Sequence, residues 1–208
     1  TEADPKEVHV VGVSGGGMAA LLAYMNVTCP VKSFSAWAPI ADLEAWYWES
    51  KARGNKYADH ILKATSSEGT TLNVAEARKR SPLYGVIPRK QRRTSQLFIY
   101  EGVHDGYTGS VPVTHAINMY NRVVGDWKYG LGTVEAANRK AAVYADLVSE
   151  DEIIRLLTLR NNPKANPEEK IGDRQILLRR EASNTRLVIF EGTHEMLPCA
   201  LDLIPVGR

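Results

Sequence analysis

Val8-His9-Val10-Val11-Gly12-Val13-Ser14-Gly15-Gly16-Gly17-Met18-Ala19-Ala20-Leu21-Leu22-Ala23-Tyr24 joins an apolar run to a small-residue, helix-forming run through one serine set among glycines. A strand that must become a helix within one residue holds that serine in a strained backbone conformation. Gly12 and Gly16, two before and two after it, leave room for the helix to pass close to the strand. The turn lifts the Ser14 hydroxyl above the carboxyl end of a sheet. It also aims the first helical amides, Gly15 N–H foremost, at the space where an oxyanion would be held. The segment reads as a nucleophile elbow, against the plainer alternative of a structural glycine turn.

A nucleophilic serine needs a base and a group to orient that base, and in this strand–turn–helix context they follow in the order acid, then histidine. Leu97-Phe98-Ile99-Tyr100 is an apolar strand that runs into Glu101-Gly102-Val103-His104-Asp105, which puts Asp105 on the loop at a strand's carboxyl end. Leu187-Val188-Ile189-Phe190 runs in the same way into Glu191-Gly192-Thr193-His194. The separations, 91 residues from Ser14 to Asp105 and 89 from there to His194, leave room for helix-bearing crossovers. The roles follow from the chemistry: Ser14 attacks, His194 takes and returns the proton, and Asp105 fixes the imidazole tautomer.

Plainer readings stand beside these. Aspartate is common in turns because it accepts bonds from nearby amides. Glu101 and Glu191 also end strands and are the fallback acids. His115 belongs to a helix after Val111-Pro112 and reads as a surface or packing residue, and His104 as a brace for the acid loop. His194-Glu195 does not open a zinc-protease motif, because Pro198 stands where the second histidine belongs. No metal site is expected.

These residues resemble the prolyl oligopeptidase-like branch of the alpha/beta hydrolases, a family of peptidases and related acyl esterases. The likeness is spread over most of the chain. Gly12-Val13-Ser14-Gly15-Gly16-Gly17 is similar to the family's elbow, Ala38-Pro39-Ile40-Ala41-Asp42 to the segment after its next strand, and Ser81-Pro82-Leu83 to its Ser-Pro step. Gly102-Val103-His104-Asp105, Val111-Pro112 and Gly192-Thr193-His194 resemble its acid loop, its next helix start and its terminal histidine loop. The resemblance nominates Ser14, Asp105 and His194, the same three residues. It implies a serine hydrolase acting through a covalent acyl-enzyme without a cofactor. Esters are preferred to peptides, since no propeller gate or amine-capturing acidic pair is recognisable. One departure is Gly106-Tyr107-Thr108-Gly109, which lengthens the loop after the acid. The alternative is a non-catalytic binding or assembly subunit that keeps the hydrolase fold.

Composition fits a globular enzyme: 208 residues, 44% hydrophobic and 24% charged, can bury a sizeable core in one domain. A net charge of +2 gives no argument for nucleic acid or an anionic membrane, and no run approaches the length of a membrane span. Arg89-Lys90-Gln91-Arg92-Arg93 reads as a solvated loop. Whether Cys29 and Cys199 pair is left open. The chain begins at Thr1, and a secreted or periplasmic setting is slightly favoured.

The expected order is strand 8–13, helix 15–25, strand 32–37, a helical stretch over 42–64, a linker over 65–73 and a short helix over 74–79. Strand 96–100, helix 111–124, strand 186–190 and a helical segment over 196–203 follow. Alternating β-branched strands and helices imply an α/β fold with a parallel, doubly covered sheet. An excursion over 126–184 interrupts it and reads as helical, with one helix over 133–147 and another, opened by the capping box Ser149-Glu150-Asp151-Glu152, ending near 159; 164–170 reads as loop. Trp46, Tyr47 and Trp48 cannot all face one core. Trp46 and Trp48, with Tyr107 on the lengthened loop, are therefore the candidate substrate contacts. Four strands leave 8–13 as an apolar edge, and the elbow normally follows several strands, one of whose loops supplies a second oxyanion amide. The chain is accordingly expected to be the carboxyl-terminal part of a longer hydrolase. Its amino-terminal half would come from the same chain or a separate fragment.

Overall fold

The computed structural model describes Asp4 and residues 6–206. Six strands form one mixed sheet in the order β1-β2-β3-β6-β5-β4. The elements are β1 (His9–Val13), α1 (Gly15–Asn26), β2 (Ser33–Trp37), α2 (Leu43–Ala52), α3 (Tyr57–Ala64), α4 (Val74–Arg80), α5 (Arg89–Arg92), β3 (Gln96–Gly102), α6 (Thr114–Tyr129), α7 (Val134–Lys140), α8 (Glu150–Leu159), β4 (Lys170–Ile171), β5 (Arg174–Ala182) and β6 (Thr185–Phe190). Short 3-10 turns span Pro82–Tyr84 and Pro198–Leu201.

The four strands expected from sequence, β1, β2, β3 and β6, are parallel neighbours in that order, so their carboxyl ends share one rim. Two expectations are corrected. The excursion is not wholly helical: it contains β4 and β5, which extend the sheet antiparallel beyond β6, with Lys170 in β4 rather than in a loop. β5 turns into β6 through Ser183 and Asn184, both at positive φ (48° and 54°), the pair of left-handed residues that a tight two-residue hairpin needs. Among the described residues the sheet is also not helix-covered on both faces. α1 and α6 bury Leu21, Tyr24, Ile117, Tyr120 and Val124 against Phe34, Ala36, Ile99 and Ile189. The opposite face, with Trp37, Phe98, Tyr100 and Phe190, meets Leu197 and Ala200 of the carboxyl-terminal segment and Ile171 of β4. The parallel strands are added in one direction without reversal, so crossovers of one hand fall on one face.

Smaller differences have local causes. The helical stretch over 42–64 breaks at Gly54 (φ 62°) into α2 and α3. The helix expected over 133–147 ends at Lys140 in turns. α6 begins after Pro112 and runs to Tyr129, where Gly130 at φ 65° caps it. Ser149 and Glu152 form the expected capping box of α8.

Asp42 caps α2 by accepting from the Glu44 and Ala45 amides, and Ser81 Oγ accepts from Leu43 N and donates to Ala77 O. The segment around α5 is not a solvated loop throughout. Arg92 is 1% exposed and donates to the carbonyls of Tyr24, Ala23 and Val27, the last turn of α1. A guanidinium there satisfies acceptors that the helix end leaves free and complements its dipole. Cys29 and Cys199 are free thiols. Among the described residues no helix is long and apolar enough to cross a membrane.

Arg92→Met should leave these carbonyls buried and unpaired, lowering unfolding free energy by about 3 kcal/mol. Urea denaturation monitored by tryptophan fluorescence measures it.

Candidate active site

Ser14 adopts φ 57°, ψ −120° between β1 and α1, a conformation that a non-glycine residue holds only where its surroundings enforce it. The enforcing contact is backbone on backbone. A Cβ on Gly12 would lie 2.2 Å from Gly16 O, so only glycine lets strand and helix cross there. Gly16 itself meets nothing within 4 Å; Gly17 is the second glycine that space demands, with Trp37 O 2.6 Å from its would-be Cβ. Ser14 N donates to Trp37 O at 2.8 Å, tying the elbow to β2. Gly15, the first helical residue, is exposed, and its N–H has no acceptor within the helix.

His194 arrives from the far side of the rim. Its loop leaves β6 and folds back over the end of β3, where His104 N donates to Gly192 O at 3.0 Å. His194 Nε2 then lies 2.7 Å from Ser14 Oγ, and Nδ1 lies 2.5 Å from Asp105 Oδ2. A carboxylate only accepts, so Nδ1 carries the hydrogen and Nε2 is free to accept from the serine hydroxyl. The three residues singled out from sequence therefore form one hydrogen-bonded line.

Asp105 is 1% exposed, and its Oδ1 accepts from Gly106 N at 2.8 Å and Val111 N at 3.0 Å. The fallback acids point elsewhere. Glu191 pairs with His104 at 2.6 Å, and Glu101 is fully buried within β3 and makes no hydrogen bond to His194 among the described residues. His115 is a buried brace: Nδ1 accepts from the Ala41 and Asp42 amides at 3.1 and 3.3 Å, and Nε2 meets Glu49 at 2.9 Å.

The lengthened loop after the acid is held by residues that no sequence pattern announces. Arg53, just past α2, donates to Gly106 O (2.8 Å), Gly109 O (3.1 Å) and Ser110 O (2.9 Å). Arg160, at the end of α8, donates to Val103 O at 3.3 Å and lies 4.4 Å from the Tyr107 ring centre. Trp46, a candidate substrate contact, clamps this loop: it is 8% exposed, and its Nε1 donates to Ser110 O at 2.8 Å. Trp48 and Tyr107 do stand in solvent, 53% and 71% exposed. Among the described residues no three His, Cys, Asp or Glu side chains gather as a metal ion would need.

No protein-family model and no curated protein matches the chain. Solved structures do. Uncomplexed Pyrococcus horikoshii acylaminoacyl peptidase is 18% identical with a TM-score of 0.43, covering 57% of this chain and 17% of that one. An acylaminoacyl peptidase in complex with Z-Gly-Gly-Phe-chloromethyl ketone is 14% identical with a TM-score of 0.45, covering 75% and 27%. The chain thus spans between 17% and 27% of the length of these proteins.

A methyl group on Gly109 would meet Asp105 Oδ1 at 2.1 Å and His194 Cβ at 2.7 Å. Gly109→Ala should therefore displace Asp105 or His194, and an activity that depends on their alignment should fall by about 10², the usual scale for a misplacement near 1 Å. Steady-state kinetics beside a circular dichroism spectrum separates this from unfolding.

Proposed function

We propose that the chain is the catalytic part of a serine hydrolase that cleaves an ester or peptide bond through a covalent acyl-enzyme. The observation that carries this reading is the unbroken line Ser14 Oγ, His194 Nε2, His194 Nδ1, Asp105 Oδ2 at 2.7 and 2.5 Å. His194 Nε2 takes the hydroxyl proton as Ser14 Oγ attacks the substrate carbonyl. Asp105 then stabilises the imidazolium through Nδ1. The Gly15 N–H donates to the oxyanion as charge develops on it. Collapse of the tetrahedral intermediate expels the leaving group with the proton that His194 returns, and water repeats the sequence on the acyl-serine. No step calls for a cofactor. Trp48 and Tyr107 offer exposed aromatic surface for stacking against a substrate.

A fluorophosphonate probe reports an activated serine whatever the substrate. Ser14→Ala should abolish labelling. Asp105→Asn, which holds the wrong tautomer, should slow turnover by about 10⁴ with folding retained. Labelling that survives on another serine rejects the mechanism, and a loss under about tenfold rejects Asp105 as the orienting acid.

The edge of β1 supports a second element of the proposal. Every residue of β1 is only partly buried, and among the described residues β2 is its one neighbour. An apolar strand with one free edge is suited to receive another. We infer that an amino-terminal segment of the same hydrolase, on the same chain or as a separate fragment, pairs along β1 and brings the second oxyanion donor. Residues 1–208 alone should then be oligomeric or slower by about 10²–10³ than the completed enzyme, the cost of one donor. Size-exclusion chromatography with an ester assay decides it: a fully active monomer rejects the proposal.

A further inference from the structure

Glu101 is the last residue but one of β3, four positions before Asp105, and it is completely buried. Neither of its carboxyl oxygens accepts a hydrogen bond of ordinary geometry from a donor among the described residues. Its neighbour across the sheet on β6 is Ile189, and on the β2 side the strand ends in Trp37 and Ala38, both buried. Among the described residues no cation balances it. The charge that bears on it is that of Asp105, four positions further along the chain on the loop that leaves the same strand. Burial first, and Asp105 second, push the Glu101 carboxyl well above the usual carboxylate range, opposed only by the Gly102 amide. Two carboxylates cannot both stay ionised side by side in a dry space, so one keeps a proton. Asp105 has two backbone amides and the His194 ring to stabilise its charge, whereas Glu101 has no such set.

We propose that Glu101 is a positioning residue for the acid: a neutral carboxyl group, buried at the end of β3, whose O–H is offered to Asp105 and holds that carboxylate aimed at His194. The pair then carries one negative charge, the amount that an imidazolium at His194 would balance. Ionising Glu101 would put a second, unpaired negative charge behind the acid and drive the loop apart. The role assigned to Asp105 rests on the serine-hydrolase reading; the buried proton does not.

The experiment therefore has one arm that needs no catalysis. The folded chain keeps the Glu101 proton in a pH range where the unfolded chain has released it. Folding stability consequently falls as pH rises from about 4.3, the ordinary glutamate value, towards the raised folded one. Glu101→Gln removes this loss without changing the side chain's shape. Urea midpoints of parent and Glu101→Gln should diverge in favour of the variant as pH rises through that window; parallel curves overturn the buried proton.

In the second arm, fluorophosphonate labelling is followed against pH. The acid limb should keep its midpoint in Glu101→Gln, while an alkaline fall present in the parent disappears. An acid limb displaced by about one pH unit means Glu101 carries a charge in the folded enzyme and overturns the proposal. Glu101→Met, which cannot donate, should show the same divergence in urea but label about tenfold more slowly, the scale of one charge-assisted hydrogen bond. Methionine labelling as fast as glutamine rejects the role in positioning. If the parent is never labelled, the hydrolase reading fails while the urea curves still decide whether Glu101 holds its proton.

Discussion

The whole site hangs on a contact between backbones. β1 and α1 cross so closely that a side chain on Gly12 would overlap Gly16 O. That crossing forces Ser14 into its left-handed conformation and lifts its hydroxyl out of the sheet. The resulting strain, of order 1–3 kcal/mol, is offset locally by the bond from Ser14 N to Trp37 O and by the start of α1 at the next residue. Because β1, β2, β3 and β6 are parallel and in register, fixing the elbow on β1 also fixes how far the loops after β3 and β6 must travel to meet it. Strands about 4.8 Å apart place β6 three spacings from β1. The histidine loop bridges that distance by lying across the end of β3 rather than standing above its own strand.

This explains why the meeting of these three side chains is legible in sequence. Ser14, Asp105 and His194 each follow an unbroken apolar run, and in a parallel sheet such runs end on one side. Position after a strand was enough to bring the residues together, even though they come from loops up to 180 residues apart. The excursion lacked that clarity. Arg174-Gln175-Ile176-Leu177-Leu178-Arg179-Arg180-Glu181-Ala182 bunches its apolar residues instead of alternating them, because the register of β5 slips between Ile176 and Leu178. Such a slip adds an unpaired residue and breaks the period-2 signal. The turn that follows uses Ser183-Asn184, without the glycine that usually advertises a tight hairpin.

Charge misled for a related reason. Arg92 sits in a run of five residues, four of them basic, which as composition describes a surface, yet its planar fork reaches three carbonyls at the end of α1. Arg160, half-buried, and Arg53, exposed, likewise donate to carbonyls of the acid loop. A guanidinium can be buried or half-buried when several carbonyls converge on it, because its five donors match acceptors that a folded loop leaves unpaired. Nothing in the local sequence of an arginine shows which distant carbonyls will converge. This class of contact emerges only with the fold.

The acid loop is consequently the point where the parts of the chain meet. Its own amides from Gly106 and Val111 hold Asp105 from within. Arg53 and Trp46 hold its outer turn from the α2 side, and Arg160 holds its inner carbonyl from the end of the excursion. Gly109 closes it against His194 with no space for a methyl group. Arg160 takes this position at φ 49°, a backbone conformation unfavourable for arginine, so the end of α8 gives up local stability to place one side chain on the loop. The excursion thereby gains a part in the geometry of the acid, and Tyr107, stacked beneath Arg160, carries that constraint out to the exposed rim.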